Sequence, residues 1–352
     1  PRAAGAPPAP GGGLVPMWGV CPPPRPGPAP PGGAPGPGAP ATLRPVTTAT
    51  GRSYLRFAAV GDSTTVGVGD PMPGTPLGLG AGATGRDGTW RGWATLLARA
   101  LDASYDVSFC NLAVSGATAR DVVERQLADA VDHHPDLVSL VVGLNDTMRS
   151  TWSPAQLRAD LLHAADRLTA GGALLMTARF HDHGAVLGLP GFLRRPMQRR
   201  IEVVNGVYDE VHATYGGVRV DLATCEAVRD RASWSVDRLH PSERGHRALA
   251  RCFAEELTAA GIVVEPPRAE PDADRAVTWR EDLGWVVTEA VPWMGRRARD
   301  LGPWAARTAW ERVPVPVGAR RTVRSAAGGE DDRVAVGDGD GVLAVRPAGA
   351  VG

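Results

Sequence analysis

The stretch 137–142, Leu-Val-Ser-Leu-Val-Val, is almost wholly apolar. A strand that reads this way has no solvent face, so it belongs at the centre of a parallel sheet covered on both sides. Further short apolar runs at 54–60, 106–112, 173–177 and 218–222 alternate with stretches of helical periodicity. Segment 91–101 carries Trp93, Leu96, Leu97, Ala100 and Leu101 at helical spacing, and a second helix opens near Thr118 with Val122, Val123 and Leu127 on one face. Ser153-Pro154 supplies an N-cap and a proline at the first helical position. The helix it starts bears Leu157, Leu161, Leu162, Ala165 and Leu168 and stops at Gly171-Gly172. A helix over 198–214 and a closing one after Pro241-Ser242, with Ala248, Leu249, Cys252, Phe253 and Leu257, complete the pattern.

Five strands separated by helices imply an α/β, flavodoxin-like three-layer α/β/α sandwich with a five-stranded parallel sheet. The chain has 352 residues, but its ends add little to a core. Residues 1–50 are dominated by Pro, Gly and Ala and cannot bury enough surface to offset their chain entropy, so a disordered leader is expected. The Gly/Asp/Ala-rich stretch 325–352 reads as a disordered tail for the same reason. The patterned domain spans 51–264. Between it and the tail, 265–324 reads as a Trp/Arg-rich helical appendage holding Trp279, Trp285, Trp293, Trp304 and Trp310 beside Arg296, Arg297 and Arg299. Three roles suit that appendage: packing back on the sheet, an oligomer or partner contact, or an amphipathic face on a membrane surface. Pro292 and Pro303 cut it into short pieces, which counts against one long interfacial helix.

Formal net charge is zero and all 38 basic residues are Arg, so nothing marks a nucleic-acid partner. Arg without Lys fits the codon bias of a GC-rich genome. The four cysteines, Cys21, Cys110, Cys225 and Cys252, have neither CxxC nor metal-ligand spacing. Cys110 and Cys225 read as small buried hydrophobes. His181-Asp182-His183 lacks a third ligand at useful spacing and is expected in a substrate-facing or solvated loop, and His133-His134 at a solvated helix end. No run approaches the roughly 18 apolar residues of a membrane span, and the leader lacks the regions of a signal peptide. A cytoplasmic address is therefore the expectation.

Four short blocks carry the chemistry: Gly61-Asp62-Ser63-Thr64, then 111–118 (Asn-Leu-Ala-Val-Ser-Gly-Ala-Thr), then Gly143-Leu144-Asn145-Asp146, and Asp237-Arg238-Leu239-His240-Pro241. Ser63, Gly116 and Asn145 each lie just past a predicted strand, where doubly wound sheets collect their reactive groups. A hydroxyl at a helix start is exposed and gains the helix dipole, which suits a nucleophile. His240 can take its proton, and Asp237, three residues earlier, can reach Nδ1 and hold the tautomer. The Asn145 side chain and the backbone N–H groups of Gly116 and Ser63 supply three donors for an oxyanion. Asp62 and Asp146 read as structural orienters. The Gly/Pro-rich stretch 70–88 either borders the acyl pocket or makes a plain surface excursion.

In their order and content these blocks resemble the SGNH hydrolases, also called the GDSL-type lipase/acylhydrolase superfamily, over about 54–260. Ser63, Gly116, Asn145 and His240 match the four letters of that name, and Asp237 matches the third triad member. Thr64 departs from the Leu usual at its position, which bears on substrate detail. The resemblance implies hydrolysis of carboxylic esters through an acyl-enzyme, with neither metal nor cofactor and a small-molecule ester as substrate. Alternatives using the same residues are a carbohydrate deacetylase or a thioesterase. A catalytically idle member acting as a binding or scaffold module is a further one.

Overall fold

The computed structural model describes residues 46–47, 51–72, 84–87, 89–235 and 237–271. Its strands are β1 (Val46–Thr47), β2 (Ser53–Gly61), β3 (Tyr105–Asn111), β4 (Leu137–Val141), β5 (Leu174–Arg179) and β6 (Val218–Asp221). The helices are α1 (Ser63–Val66), α2 (Gly92–Asp102), α3 (Ala119–Arg125), α4 (Leu127–Asp132), α5 (Leu144–Thr147), α6 (Pro154–Thr169), α7 (His183–Val186), α8 (Gly191–Tyr215), α9 (Glu226–Arg229) and α10 (Glu243–Ala259). The Trp-rich appendage beyond 271, the predicted tail, the predicted leader apart from 46–47 and most of the Gly/Pro-rich stretch after Met72 lie outside the described residues.

Five strands run parallel in the spatial order β3-β2-β4-β5-β6. This is the flavodoxin-like order expected from the sequence. Right-handed crossovers then fix the layers. The step from β2 out to β3 puts α2 on one face, where α10 packs against it. The steps from β3 across to β4, and on to β5 and β6, put α3, α6 and α8 on the other. All five residues of β4 are buried, as the apolar run requires. Trp93 of α2 stacks on Phe253 of α10 with ring centroids 4.6 Å apart, and Phe57 meets Phe109 across the β2–β3 pair at 5.0 Å.

Three features depart from the sequence reading. Val46 and Thr47, within the predicted leader, pair antiparallel with Tyr54 and Ser53 and add a stub to the parallel sheet. The helix opening at Thr118 has the expected start, a capping box with Asp121, but breaks into α3 and α4 at Gln126. The buried Gln126 amide turns inward there, accepting from the Gly61 N–H at 2.8 Å and donating to the Gly61 carbonyl at 2.9 Å. One side chain thus satisfies both backbone groups where β2 ends. Finally, the helix expected from 198 begins at Gly191 despite Pro196. Its first turns are anchored on the α7 segment, with Arg194 Nε donating to Asp182 at 2.8 Å.

The turn that ends α1 depends on glycine. Gly67 has φ +101°, and a Cβ there would lie 2.7 Å from the Cα of Gly92, where α2 starts. Gly67→Ala is expected to lower the melting temperature markedly. The left-handed backbone alone costs about 1–2 kcal/mol, and overlap with the Gly92 backbone adds to it; thermal melts followed by circular dichroism measure the loss.

Candidate active site

The parallel order reverses at β2, which has β3 on one side and β4 on the other, and in such sheets the crevice lies at that switch point. Ser63, Gly116 and Asn145 follow the carboxyl ends of these three strands. Asp62 caps α1, its side chain accepting from the Thr64 N–H at 3.0 Å, so Ser63 becomes the first residue of the helix. A backbone N–H at that position has no partner within its own helix and points outward.

His240 arrives from the far end of the domain on a tightly tied loop. Trp234 bridges antiparallel to Pro241, Ser235 N–H donates to the His240 carbonyl at 2.9 Å, and Ser242 N–H donates to the Ser233 carbonyl at 2.9 Å. Arg238 turns the loop with φ +55°. The Asp237 carboxylate is used on both oxygens. Oδ1 accepts from the Leu239 and His240 N–H groups at 2.9 and 3.1 Å and from the Ser235 hydroxyl, while Oδ2 meets His240 Nδ1 at 2.6 Å. Burial pushes this carboxyl up, but the His240 charge and the hydrogen bonds from His240 and Ser235 outweigh it and bring it down to about 2. An ionised carboxylate only accepts, so Nδ1 is the donor and Nε2 is the ring nitrogen that faces Ser63 Oγ, 3.0 Å away.

Asn145 ties the other two blocks together. Its side-chain amide donates to the Ala117 carbonyl at 3.1 Å, beside Gly116, and to Asp62 Oδ2 at 3.3 Å, beside Ser63. Gly116 makes its turn with φ +82°. Asp146 accepts from the Ala119 N–H at 3.1 Å, holding the start of α3 against α5, and burial pushes its carboxyl up to about 7. Both aspartates therefore orient backbone, as the sequence suggested.

This arrangement can pass a proton from Ser63 to His240 while Asp237 holds the imidazole, with backbone and amide donors alongside. A profile of the GDSL-like lipase/acylhydrolase family matches residues 59–248. The chain belongs to the GDSL-like lipase/acylhydrolase family. It is a carboxylic ester hydrolase. An acetylxylan esterase of Geobacillus stearothermophilus is 27% identical to the hydrolase over 189 residues, covering 51% of this chain and 85% of the relative. Esterase TesA of Pseudomonas aeruginosa is 35% identical over 89 residues, covering 25% of this chain and 44% of the relative. The crystal structure of Axe2, an acetylxylan esterase from Geobacillus stearothermophilus, superposes with a TM-score of 0.44 at 24% identity, covering 61% of this chain and 97% of that one.

Several histidines of the hydrolase sit differently from the sequence reading. His181 and His183 are buried rather than solvated, and both line a cavity that Thr64, Leu144 and Leu239 also border. They are 3.0 Å apart, His181 Nε2 to His183 Nδ1, and Trp234 packs over both rings. Periodicity could not show this, because their cover comes from a segment fifty residues away. His133 is likewise buried, its Nε2 3.1 Å from the Ser108 carbonyl, whereas His134 is exposed. Among the described residues no group of three His, Cys, Asp or Glu side chains is placed to hold a metal ion.

A buried brace went unnoticed in the sequence. Arg91 donates to both oxygens of Asp70 at 3.0 and 2.9 Å and to Glu243 at 2.6 Å, and Arg247 donates to Glu243 at 2.9 Å. Beside it, the buried His246 accepts the Trp93 N–H at Nδ1 and meets the Val68 carbonyl at Nε2, 3.0 Å away. These bonds clamp the loop after Ser63 to the helix after His240. No local signal links positions 70, 91, 243 and 246, although Ser235, two residues before Asp237, was a findable donor.

Two tests follow from these burials. Arg91→Met leaves Asp70 enclosed without its counter-charge and Glu243 without one of its two arginines, and is expected to cost about 3–5 kcal/mol, read from the urea midpoint. For pH, burial lowers His181 to about 4 and His183 to about 3 from 6.5. The unfolded chain then binds protons that the folded chain refuses, so stability falls as pH drops below 6.5. Asp146 acts oppositely, because its pKa rises from 3.8 to about 7; its contribution is full below 3.8 and lost as pH rises through 7. Two imidazoles outweigh one carboxyl, so melting temperature is expected to climb toward pH 6.5 and level off near neutrality, where the fading gain from the imidazoles and the loss at Asp146 cancel. Asp146→Asn removes the opposing contribution and should steepen the acid-side climb in melts between about pH 4 and 8.

Proposed function

We propose that Ser63 is the nucleophile, His240 the general base and then acid, and Asp237 the group that holds the imidazole. The Ser63–His240–Asp237 relay, at 3.0 and 2.6 Å, carries this reading. Ser63 Oγ attacks the ester carbonyl carbon as its proton passes to His240 Nε2. The resulting oxyanion is met by the backbone N–H groups of Ser63 and Gly116 and by the Asn145 amide. The longer of the two resting bonds of Asn145, to Asp62, gives way as that contact forms. Collapse of the tetrahedral adduct breaks the bond to the alcohol oxygen, which takes the proton from Nε2 and leaves an acyl group on Ser63. Water then attacks the acyl carbon, His240 takes its proton and returns it to Ser63 Oγ, and the free acid departs. Asp237 remains ionised throughout and stabilises the transient imidazolium.

For the substrate, we infer a short acyl ester, with an acetyl group on a carbohydrate hydroxyl as the specific case. The similarity to an acetylxylan esterase over 85% of that relative supports this reading. Acetate release from acetylated xylo-oligosaccharides, set beside p-nitrophenyl esters from acetyl to palmitoyl, tests it. A maximum at long acyl chains would overturn the short-acyl reading and leave the catalytic roles standing.

The roles make an ordered series. Ser63→Ala is expected to lower kcat on the order of 10,000-fold or more and to abolish fluorophosphonate labelling. His240→Ala is comparably severe. Asp237→Asn should lose about 10,000-fold through the wrong tautomer. Asn145→Ala should lose only about 100- to 1,000-fold, as for a single oxyanion donor. Steady-state kinetics with p-nitrophenyl acetate reads all four; an Asn145→Ala protein as inactive as His240→Ala, or a silent Asp237→Asn, means the roles are misassigned.

A further inference from the structure

Cys225 caps the start of α9 and Cys252 lies on α10, on opposite sides of the segment that carries Asp237 and His240. Their sulfurs are 3.6 Å apart. We propose that Cys225 and Cys252 form a reversible dithiol–disulfide pair that staples the two ends of this acid–base segment. A disulfide needs its sulfurs at about 2.05 Å, so closure asks for a shift of about 1.5 Å, within reach of side-chain rotation and a small movement of α9. Both residues are half-buried, and a surface groove lined by Glu226, Arg244, Arg251 and Glu255 opens onto them. A small oxidant therefore has access.

The pair is chemically asymmetric. The hydrogen bond from Cys252, with the N–H groups of Ala227 and Val228, outweighs burial and brings the Cys225 thiol down to about 6. The same bond and burial push the Cys252 thiol up. Cys225 is thus the thiolate that reacts first and Cys252 the resolving thiol. With a peroxide as oxidant, the Cys225 sulfur attacks one peroxide oxygen, the O–O bond breaks, and Cys225 becomes a sulfenic acid with release of water. The Cys252 sulfur then attacks the Cys225 sulfur, the S–O bond breaks, and a second water leaves. Two thiols lose two electrons together and hydrogen peroxide is reduced to two waters; a dithiol reductant reverses the bond by exchange.

The two cysteines are 27 positions apart, a loop long enough for the link to restrict the unfolded chain substantially. The full chain, treated with hydrogen peroxide, alkylated and digested without reductant, should yield a linked Cys225–Cys252 peptide that dithiothreitol separates. The oxidised protein should melt about 5–10 °C above the reduced one, and Cys225→Ser or Cys252→Ser should erase that gap. In Cys252→Ser, dimedone should trap a sulfenic acid at Cys225, whereas Cys225→Ser should leave Cys252 unlabelled. Both thiols remaining alkylatable after peroxide would overturn the proposal. So would oxidation of wild-type Cys225 past the sulfenic acid with Cys252 untouched, or linkage of either residue to Cys21 or Cys110. Should a variant fail to fold, the wild-type peptide map still decides.

Discussion

The candidate site rests on a group of buried charges that takes no part in the proposed chemistry. Asp70, Arg91 and Arg247 are buried, Glu243 nearly so, and the four form a chain of two anions and two cations. Isolated, each would be costly to remove from water; paired and hydrogen-bonded, they can be enclosed, and breaking one pair strands the others. The group joins three segments: the loop after α1, the start of α2 and the start of α10. Ser63 and His240 are 177 residues apart in the chain, and these segments are what bring them to hydrogen-bonding distance. The close passage of Gly67 against Gly92 leaves that joint no spare room.

Upon that frame, the acid–base loop is locally self-sufficient. Asp237 spends one oxygen on the backbone of its own turn and on Ser235, and the other on His240. The loop geometry and the imidazole tautomer are therefore set by a single carboxylate. Carboxylate and imidazole three residues apart need no long-range packing to meet, only a backbone turn such as the one Arg238 makes. The packing behind the loop is less economical in polar terms. His181, His183 and His246 are all enclosed as neutral rings, so the same interior that holds the loop in place makes the fold sensitive to acid.

Asn145 joins the remaining blocks through groups that flank the proposed reacting atoms. Its bonds to Ala117 and Asp62 align the turns after β2, β3 and β4 before any substrate arrives. Oxyanion donors act best when already positioned, because no reorganisation is then needed as charge develops. The Cys225–Cys252 pair adds a covalent option at the other end of the acid–base segment, independent of the charges that hold it from the α2 side.

Much of the fold was legible in the chain. Strand period, helix spacing, the Thr118 and Ser153 caps and the apolar β4 are local properties, and together they determine a doubly wound sheet. The four blocks were legible too, because Ser63, Gly116 and Asn145 follow strand ends, and Asp237 reaches His240 through one turn. What stayed hidden depends on partners distant in sequence. Gln126 breaks a helix because Gly61, 65 residues away, needs both its backbone groups satisfied. His181 and His183 are buried because Trp234 packs over them. Arg91 is buried because Asp70 and Glu243 meet it there, and the two cysteines become a pair only when α9 lies against α10. Local sequence determined which elements form and which chemistry they carry. Tertiary structure alone decided which charges and rings could be enclosed, because the cost of burying a polar group depends on neighbours that only packing supplies.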